Sequence, residues 1–254
     1  MGEIVYRALV DGADADAQWE LSSRGKGTPQ GGVVSPVLSN LFLHYVFDKW
    51  LQKHYSDTPW CRYADDGLVH CRSEAEAKHM LEALKQRFQS CGLELHPVKT
   101  KIVYCKDGSR KGRYKHTSFD FLGYTFRRRL CRNRKRNSVF VNFTPAVSKA
   151  ALEVNARKGQ KVTSQNAYRV ELRANSTMVE SHHWGWIGYY GCYTRSALYG
   201  MCRHVNMTLV RWVRRKFKPL RQHKIKAMLF LEKIADQHPN LFAHWRAGMI
   251  GAFA

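Results

Sequence analysis

From Val37 onward the apolar residues fall at Val37, Leu38, Leu41, Phe42, Tyr45, Val46 and Trp50, the three-to-four spacing of a helix with one buried face. Ser35-Pro36 precedes them; serine suits an N-cap, and proline at the first helical position gives up an N–H that would lack a partner anyway. Trp60 to Tyr63 and Leu68 to Cys71 read as two short strands, with Ala64-Asp65-Asp66-Gly67 as the tight turn between them. Ser73-Glu74-Ala75-Glu76 has the form of a capping box ahead of a stripe made by Ala77, Met80, Leu81, Leu84 and Phe88, and Gly92 supplies a left-handed stop. Leu93 to Leu95, Lys101 to Cys105 and Phe119 to Arg127 are expected as further strands, the first two around a His96-Pro97 turn. Residues 1–32 hold small acidic turns and a glycine-rich run, and are expected as loop.

Strand–helix–strand alternation ends near residue 127. Arg127 to Arg136 is a basic run, and from about Ala146 the apolar period is helical. Three regions are therefore expected: an α+β region over 1–127, a basic junction over 128–140, and an α-helical region over 141–254. No internal repeat or low-complexity block interrupts them.

Charge sharpens that division. The net charge is +22, yet residues 1–100 carry 11 Lys and Arg against 13 Asp and Glu, while residues 101–254 carry 31 against 7. A surface so polarised favours polyanions, nucleic acid above all. An anionic membrane fits less well, because the basic residues are interleaved with Trp and Tyr over many segments and not gathered on one amphipathic helix. No stretch approaches the ~20 apolar residues of a membrane helix, and the start of the chain lacks the pattern of a secretion signal. Seven scattered cysteines without a CxxC pair point to a reducing cytosol and not to a disulfide framework or zinc ribbon. His182-His183 with Cys192 and Cys202 match no common zinc spacing.

The sharpest chemistry lies at Asp65 and Asp66. Carboxylates this close raise each other's pKa unless a cation sits between them. A divalent pair ~3.5–4 Å apart, held by such groups, activates an attacking hydroxyl and steadies the leaving oxygen in phosphoryl transfer. A solvated Asp-Asp-Gly turn is the plain alternative for the dipeptide taken alone.

Four blocks in order set that alternative aside. Tyr63-Ala64-Asp65-Asp66 resembles the YxDD signature of reverse transcriptases, in the YADD form of group II intron-encoded proteins. Gly27 to Asn40 (GTPQGGVVSPVLSN) resembles the GTPQGG…SPxLxN block of that family, Gly92 to Lys101 its next block, and Phe119 to Tyr124 (FDFLGY) the FxFLG block. The resemblance covers about residues 25–126. It implies a partial polymerase palm, an antiparallel sheet with helices, that uses Mg²⁺, an RNA template, a DNA primer and deoxynucleotides. Asp65 would be a direct ligand of both metals and Asp66 a supporting carboxylate. Tyr63 and Ala64 would lie near the primer end, and Gln30 and Gly31 beside the incoming nucleotide or template. Lys99 resembles the palm lysine that neutralises phosphate; a solvated surface lysine is an equally good reading. Leu122 and Gly123 would belong to a primer-gripping hairpin, a role compatible with an ordinary strand end in the core. The family also carries a metal-binding Asp on an earlier strand, and neither Asp11, Asp14 nor Asp16 ends an apolar run. The chain by itself is therefore expected to hold Mg²⁺ poorly and to be incomplete as a polymerase.

The basic half resembles the thumb, or maturase domain, of the same family. Trp184-Gly185-Trp186-Ile187-Gly188-Tyr189-Tyr190 resembles its RGWxxYY stretch, with His183 in the place of arginine, and Asn206 to Phe217 resembles the basic helix that follows. Val205, Leu209, Trp212, Val213 and Phe217 form an apolar stripe there. Arg211, Arg214, Arg215, Lys216 and Lys218 lie mostly off it and suit phosphate tracking. The aromatic residues 184–190 are expected to be mainly core, with stacking on bases as the other use. The resemblance implies binding of group II intron RNA in a cytoplasmic ribonucleoprotein and a role in RNA splicing and intron mobility. An RNA-binding splicing cofactor without polymerase activity is the alternative.

Overall fold

The computed structural model describes residues 33–133, 135–154 and 185–249. The glycine-rich block with Gln30 and Gly31, together with His182, His183 and Trp184, lies outside them. Among the described residues the chain mixes helices with two small sheets of hairpin-connected strands, an α+β arrangement. It divides into two compact units: residues 1–119 with 127–143, and residues 120–126 with 144–254. None of the described helices is long and apolar enough to cross a membrane.

In the first unit, helix α1 (Ser35–Leu43) passes through a single π turn (His44–Asp48) into α2 (Lys49–His54). The helix starts one residue earlier than expected, with Val34 at the cap and Ser35 already in the first turn. Its burial also departs from expectation. Val37, Leu38, Leu41, Phe42 and Tyr45 are exposed, and the core takes Leu43, Val46, Phe47 and Leu51 instead. The first turns extend past the hydrophobic cluster, which meets the helix only from Leu43 on. The wide turn is supported from outside: Arg87 donates from Nε to the Val46 carbonyl (3.2 Å) and from Nη2 to the Tyr45 carbonyl (3.4 Å).

Helix α3 (Glu74–Ser90) forms as its caps direct. Ser73 accepts from the Glu76 backbone N–H at 3.1 Å, while the Glu76 carboxylate accepts from Arg72 N–H at 2.7 Å, one residue before the usual capping-box partner. Gly92, at φ +73°, closes it: Leu93 N–H reaches the Phe88 carbonyl (2.9 Å) and Gly92 N–H that of Gln89 (3.0 Å), a Schellman motif. Ala77, Met80, Leu84 and Phe88 bury the predicted stripe against Phe47 and Leu51, each large side chain contributing ~1.5–3 kcal/mol. Leu93 to Leu95 and Lys101 to Cys105 are not in strands. Val103 and Cys105 are nonetheless buried, so their apolar alternation serves packing and not a sheet ladder.

Strands β1 (Trp60–Tyr63) and β2 (Asp66–Val69) pair antiparallel with Tyr63 opposite Asp66 and Trp60 opposite Val69. The second sheet has the order β3 (Ser118–Phe121), β4 (Tyr124–Asn133), β5 (Ser138–Val147). The single strand expected over Phe119 to Arg127 is thus a hairpin, because Leu122 and Gly123 both take positive φ (50° and 78°) and reverse the chain. Residues 127–133 of the basic run lie in β4, and Lys135 and Arg136 in the turn that follows.

In the second unit, α4 (Tyr199–Lys216) buries Leu209, Val210, Trp212 and Val213 against α5 (Lys224–Gln237), with Phe242 and Trp245 completing the cluster. A further cluster joins Val147, Trp186, Ile187, Leu198, Met201 and Cys202. Asn206, wholly buried, ties α4 to the short helix α6 (Ala243–Arg246): its Oδ1 meets His244 Nε2 at 2.6 Å and accepts from Trp245 Nε1 at 3.0 Å.

Candidate active site

Asp65 sits in the two-residue tip of the β1–β2 hairpin and Asp66 is the first residue of β2. The tip is tight, and Ala64 adopts φ +51°, a conformation that costs a non-glycine residue roughly 1–2 kcal/mol. Arg62 holds it there. Its Nη1 donates to the Ala64 carbonyl (2.7 Å) and to Asn40 Oδ1 (2.9 Å), while Nε and Nη2 make a bidentate pair with Asp48, both at 2.7 Å. His44 Nδ1 meets the same carboxylate at 3.1 Å, and Asn40 donates back to the Pro36 carbonyl at 3.1 Å. The π turn thus presents Asp48 to Arg62 on β1, the strand that leads into the aspartates, with His44 on the same carboxylate.

The Arg62 and Asp48 side chains keep only 12% and 14% of their exposure. Burial acts to raise the Asp48 pKa, but hydrogen bonds and charge from Arg62 and His44 outweigh it and hold the carboxyl below its ordinary value. Arg62 is raised in turn by its bond to Asp48. Gly67 completes the support. A Cβ on it would stand 3.1 Å from Phe47 Cζ, so the missing side chain lets the hairpin lie against that ring.

Within this frame the catalytic candidates divide. Tyr63, Ala64, Asp65 and Asp66 are brought together on one hairpin, with Tyr63 and Ala64 exposed and both aspartates half-buried. Among the described residues no donor bonds the Asp65 carboxylate, and no group of three or more His, Cys, Asp or Glu is placed to hold a metal. Lys99 is exposed in the same unit, in a turn ordered by His96, whose Nδ1 accepts from the backbone of Val98 (3.2 Å) and Lys99 (3.3 Å). Leu122 and Gly123 belong to the second unit. The Leu122 carbonyl accepts from Tyr189 Oη (3.1 Å) and the Gly123 carbonyl from Ser148 N–H (2.8 Å). A Cβ on Gly123 would run into the Tyr190 hydroxyl. Tyr124 donates to the Tyr189 carbonyl and packs at a tilt against Tyr189 and Tyr190 and edge-on against Tyr193.

On α4, Arg211, Arg215 and Lys216 are exposed, as is Lys218 just beyond. Arg214 is half-buried, its Nε donating to the Arg221 carbonyl at 3.1 Å, and Lys216 Nζ lies 4.9 Å from the centre of the Trp212 ring. Trp186 is core, while Tyr189 is exposed and Tyr190 half-buried. Arg62, Asp48 and Asn40 were missed as a group. Their signal was one base and one acid placed within otherwise apolar runs, at Trp60-Cys61-Arg62-Tyr63 and Val46-Phe47-Asp48.

The hairpin thus fixes its turn through a nearly buried arginine and leaves the Asp65 carboxylate without a donor among the described residues. Residues 7–126 match the reverse transcriptase (RNA-dependent DNA polymerase) family, beginning upstream of the first quoted block, and residues 157–230 match the group II intron maturase-specific domain. The chain belongs to the group II intron reverse transcriptase/maturase family. It is similar to protein YkfC of Escherichia coli (strain K12), 29% identical over 147 residues that cover 44% of this chain and 34% of that protein. The chain spans about a third of the length of that relative.

Proposed function

We propose that the chain supplies the palm and thumb of an RNA-directed DNA polymerase that also holds its intron RNA as a maturase. On this reading residues 1–127 are the partial palm, 128–140 the junction and 141–254 the thumb or maturase domain. The observation that carries it is the Asp65 carboxylate, set on a braced tip and left without a donor among the described residues. Mg²⁺ keeps several waters and is held by one or two carboxylates plus substrate phosphates, so Asp65 and Asp66 fit such an ion without a third protein ligand. When bound, the metal would activate the primer hydroxyl and stabilise the pyrophosphate that leaves.

The chain's own residues do the remaining work in this proposal. Arg62 fixes the direction of the Asp65 backbone. Tyr63 and Ala64 offer an exposed, low-relief edge for the primer end, and Gln30 and Gly31 flank the nucleotide or template. Lys99 neutralises phosphate, and Leu122 and Gly123 grip the primer through their turn. Arg211, Arg214, Arg215, Lys216 and Lys218 meet the phosphates of intron RNA within a cytoplasmic ribonucleoprotein.

Mn²⁺ binding followed by electron paramagnetic resonance tests the site without depending on turnover. Asp65→Asn is expected to weaken binding by about tenfold or more, equivalent to ~1.4 kcal/mol. Equal Mn²⁺ affinity in the two proteins would overturn the assignment.

A further inference from the structure

The basic run at 127–136 is not used by the site described above. Its residues 127–133 lie in β4, which pairs with β5 and presents two faces. Successive strand residues point to opposite faces, and exposure alternates over 128–133 of β4 and 140–143 of β5, while Arg127 and Val139 are exposed as well. Arg128, Leu130 and Arg132 of β4 and Ser138, Phe140 and Asn142 of β5 are exposed, while Arg129, Cys131, Asn133, Val141 and Phe143 are half-buried. The inner face is packed: Phe143 stacks with Phe119 (centroids 6.1 Å), and the Val141 carbonyl accepts from Gly108 N–H at 3.2 Å. The turn is ordered as well, since Asn133 Oδ1 accepts from the backbone of Lys135 (3.0 Å) and Arg136 (3.2 Å). Arg132 Nη2 donates to Asn137 Oδ1 at 2.7 Å.

The outer face is unusual for a solvated sheet, which alternates apolar inward with polar outward. Leu130 is 76% exposed and stands between Arg128 and Arg132 on one face of β4, and Phe140 on the neighbouring β5 is 46% exposed. No acidic residue occurs from Phe121 to Leu152, so the cations are not balanced along the hairpin. Burial and the charge of Arg127 both pull the Arg129 pKa below its ordinary value, a sign of crowded positive charge. Arg128 and Arg132 stand ~13 Å apart along the strand, with Leu130 between them. Spaced guanidinium groups around an apolar strip suit a polymer with repeating phosphates and sugar or base surface between them.

We propose that the outer face of the β4–β5 hairpin is a docking surface for RNA, with Arg128 and Arg132 on phosphates and Leu130 and Phe140 against the nucleotides between. It rests on the nucleic-acid reading above and adds to it a contact outside α4. The test uses the full chain, a fluorescein-labelled stem-loop RNA and a KCl series read by anisotropy. The variants are Arg128→Gln/Arg132→Gln and, separately, Leu130→Ser/Phe140→Ser, with circular dichroism confirming that each keeps the wild-type fold. Removing two phosphate contacts is expected to reduce the slope of log affinity against log salt by about 1.5. The apolar variant is expected to lose about tenfold in affinity with its slope unchanged. Wild-type RNA binding with both variants unaltered would overturn the hairpin surface alone. A wild-type chain that fails to bind the RNA in a salt-dependent way would overturn the nucleic-acid reading and this surface with it. Loss of binding to phosphatidylserine vesicles with RNA binding intact would assign the face to a membrane and also defeat the proposal.

Discussion

Among the described residues two hairpins have two-residue tips, and each places a non-glycine residue at positive φ: Ala64 at 51° in the first and Leu122 at 50° in the second. Opposite chemistry holds them. The Ala64 carbonyl is held by a guanidinium anchored on a nearly buried carboxylate. The Leu122 carbonyl is held by a tyrosine hydroxyl within a cluster of stacked rings. The first arrangement braces the tip from one side and leaves the next residue, Asp65, without a donor among the described residues. In the second the tip is covered: Gly123 has no room for a Cβ beside Tyr190, and its carbonyl is already engaged by Ser148. The charged brace leaves its tip open on the side of Asp65, whereas the aromatic rings pack against theirs.

The largest expected effect comes from removing the charged brace. Arg62→Ala would leave the Asp48 carboxylate nearly buried without its bidentate partner, at a cost of about 2–3 kcal/mol in urea unfolding at neutral pH. Arg62→Lys keeps the charge but not the fork, and should fall between the variant and wild type. The effect has a defined pH window. Because the folded Asp48 pKa is depressed, its contribution is complete above the unfolded value of ~3.9 and is lost as pH falls through the lower folded value. The gap between wild type and Arg62→Ala should therefore narrow below about pH 4. A gap that stays constant down to pH 2 would show that the pair does not supply the difference.

The middle effect concerns the covered tip. Gly123→Ala would place a Cβ at φ +78° and against the Tyr190 hydroxyl, costing about 2 kcal/mol from the left-handed conformation and the displaced ring. Ala64→Gly is its counterpart. It relieves a strained conformation while adding freedom to the unfolded chain, so the change should be within about 0.5 kcal/mol. Urea midpoints for the two variants check both. A neutral Gly123→Ala would show that the second tip has slack the packing does not reveal.

Local signals were legible in the sequence and long-range ones were not. The β1–β2 turn, the Ser73 cap, the Gly92 stop and the α4 stripe depend on residues within one or two turns of each other, and the spacing of side chains predicts them. The Arg62 clamp draws on Asn40 and Asp48, 22 and 14 residues away, and no periodicity links such positions. The β3–β4 turn is hidden from the apolar pattern, because only one of its two positive-φ residues is glycine and Leu122 reads as strand; only the family resemblance sets Leu122 and Gly123 in a hairpin. The α1 stripe misled because period reports which residues share a face, not whether a core lies beside it. The basic run reads as a boundary from its charge and from the helical period that follows; that most of it lies in β4 comes only from the fold.

The smallest expected effect isolates the aromatic brace. Tyr189→Phe removes the hydroxyl that donates to the Leu122 carbonyl at 3.1 Å. The ring stays, still 5.2 Å from Tyr124 and 4.8 Å from Tyr190. This hydrogen bond lies at an exposed position, so water can replace the lost donor, and the cost should be at the low end for a neutral bond, about 0.5–1 kcal/mol. The same reasoning separates the two tips. Water cannot fully satisfy Asp48 if Arg62 is removed, because the carboxylate is already withdrawn from solvent, whereas it can reach Leu122. If Tyr189→Phe cost as much as Arg62→Ala in parallel urea titrations, the ring cluster would depend on its hydroxyl and not on its packing, and the two tips would be held by the same kind of bond.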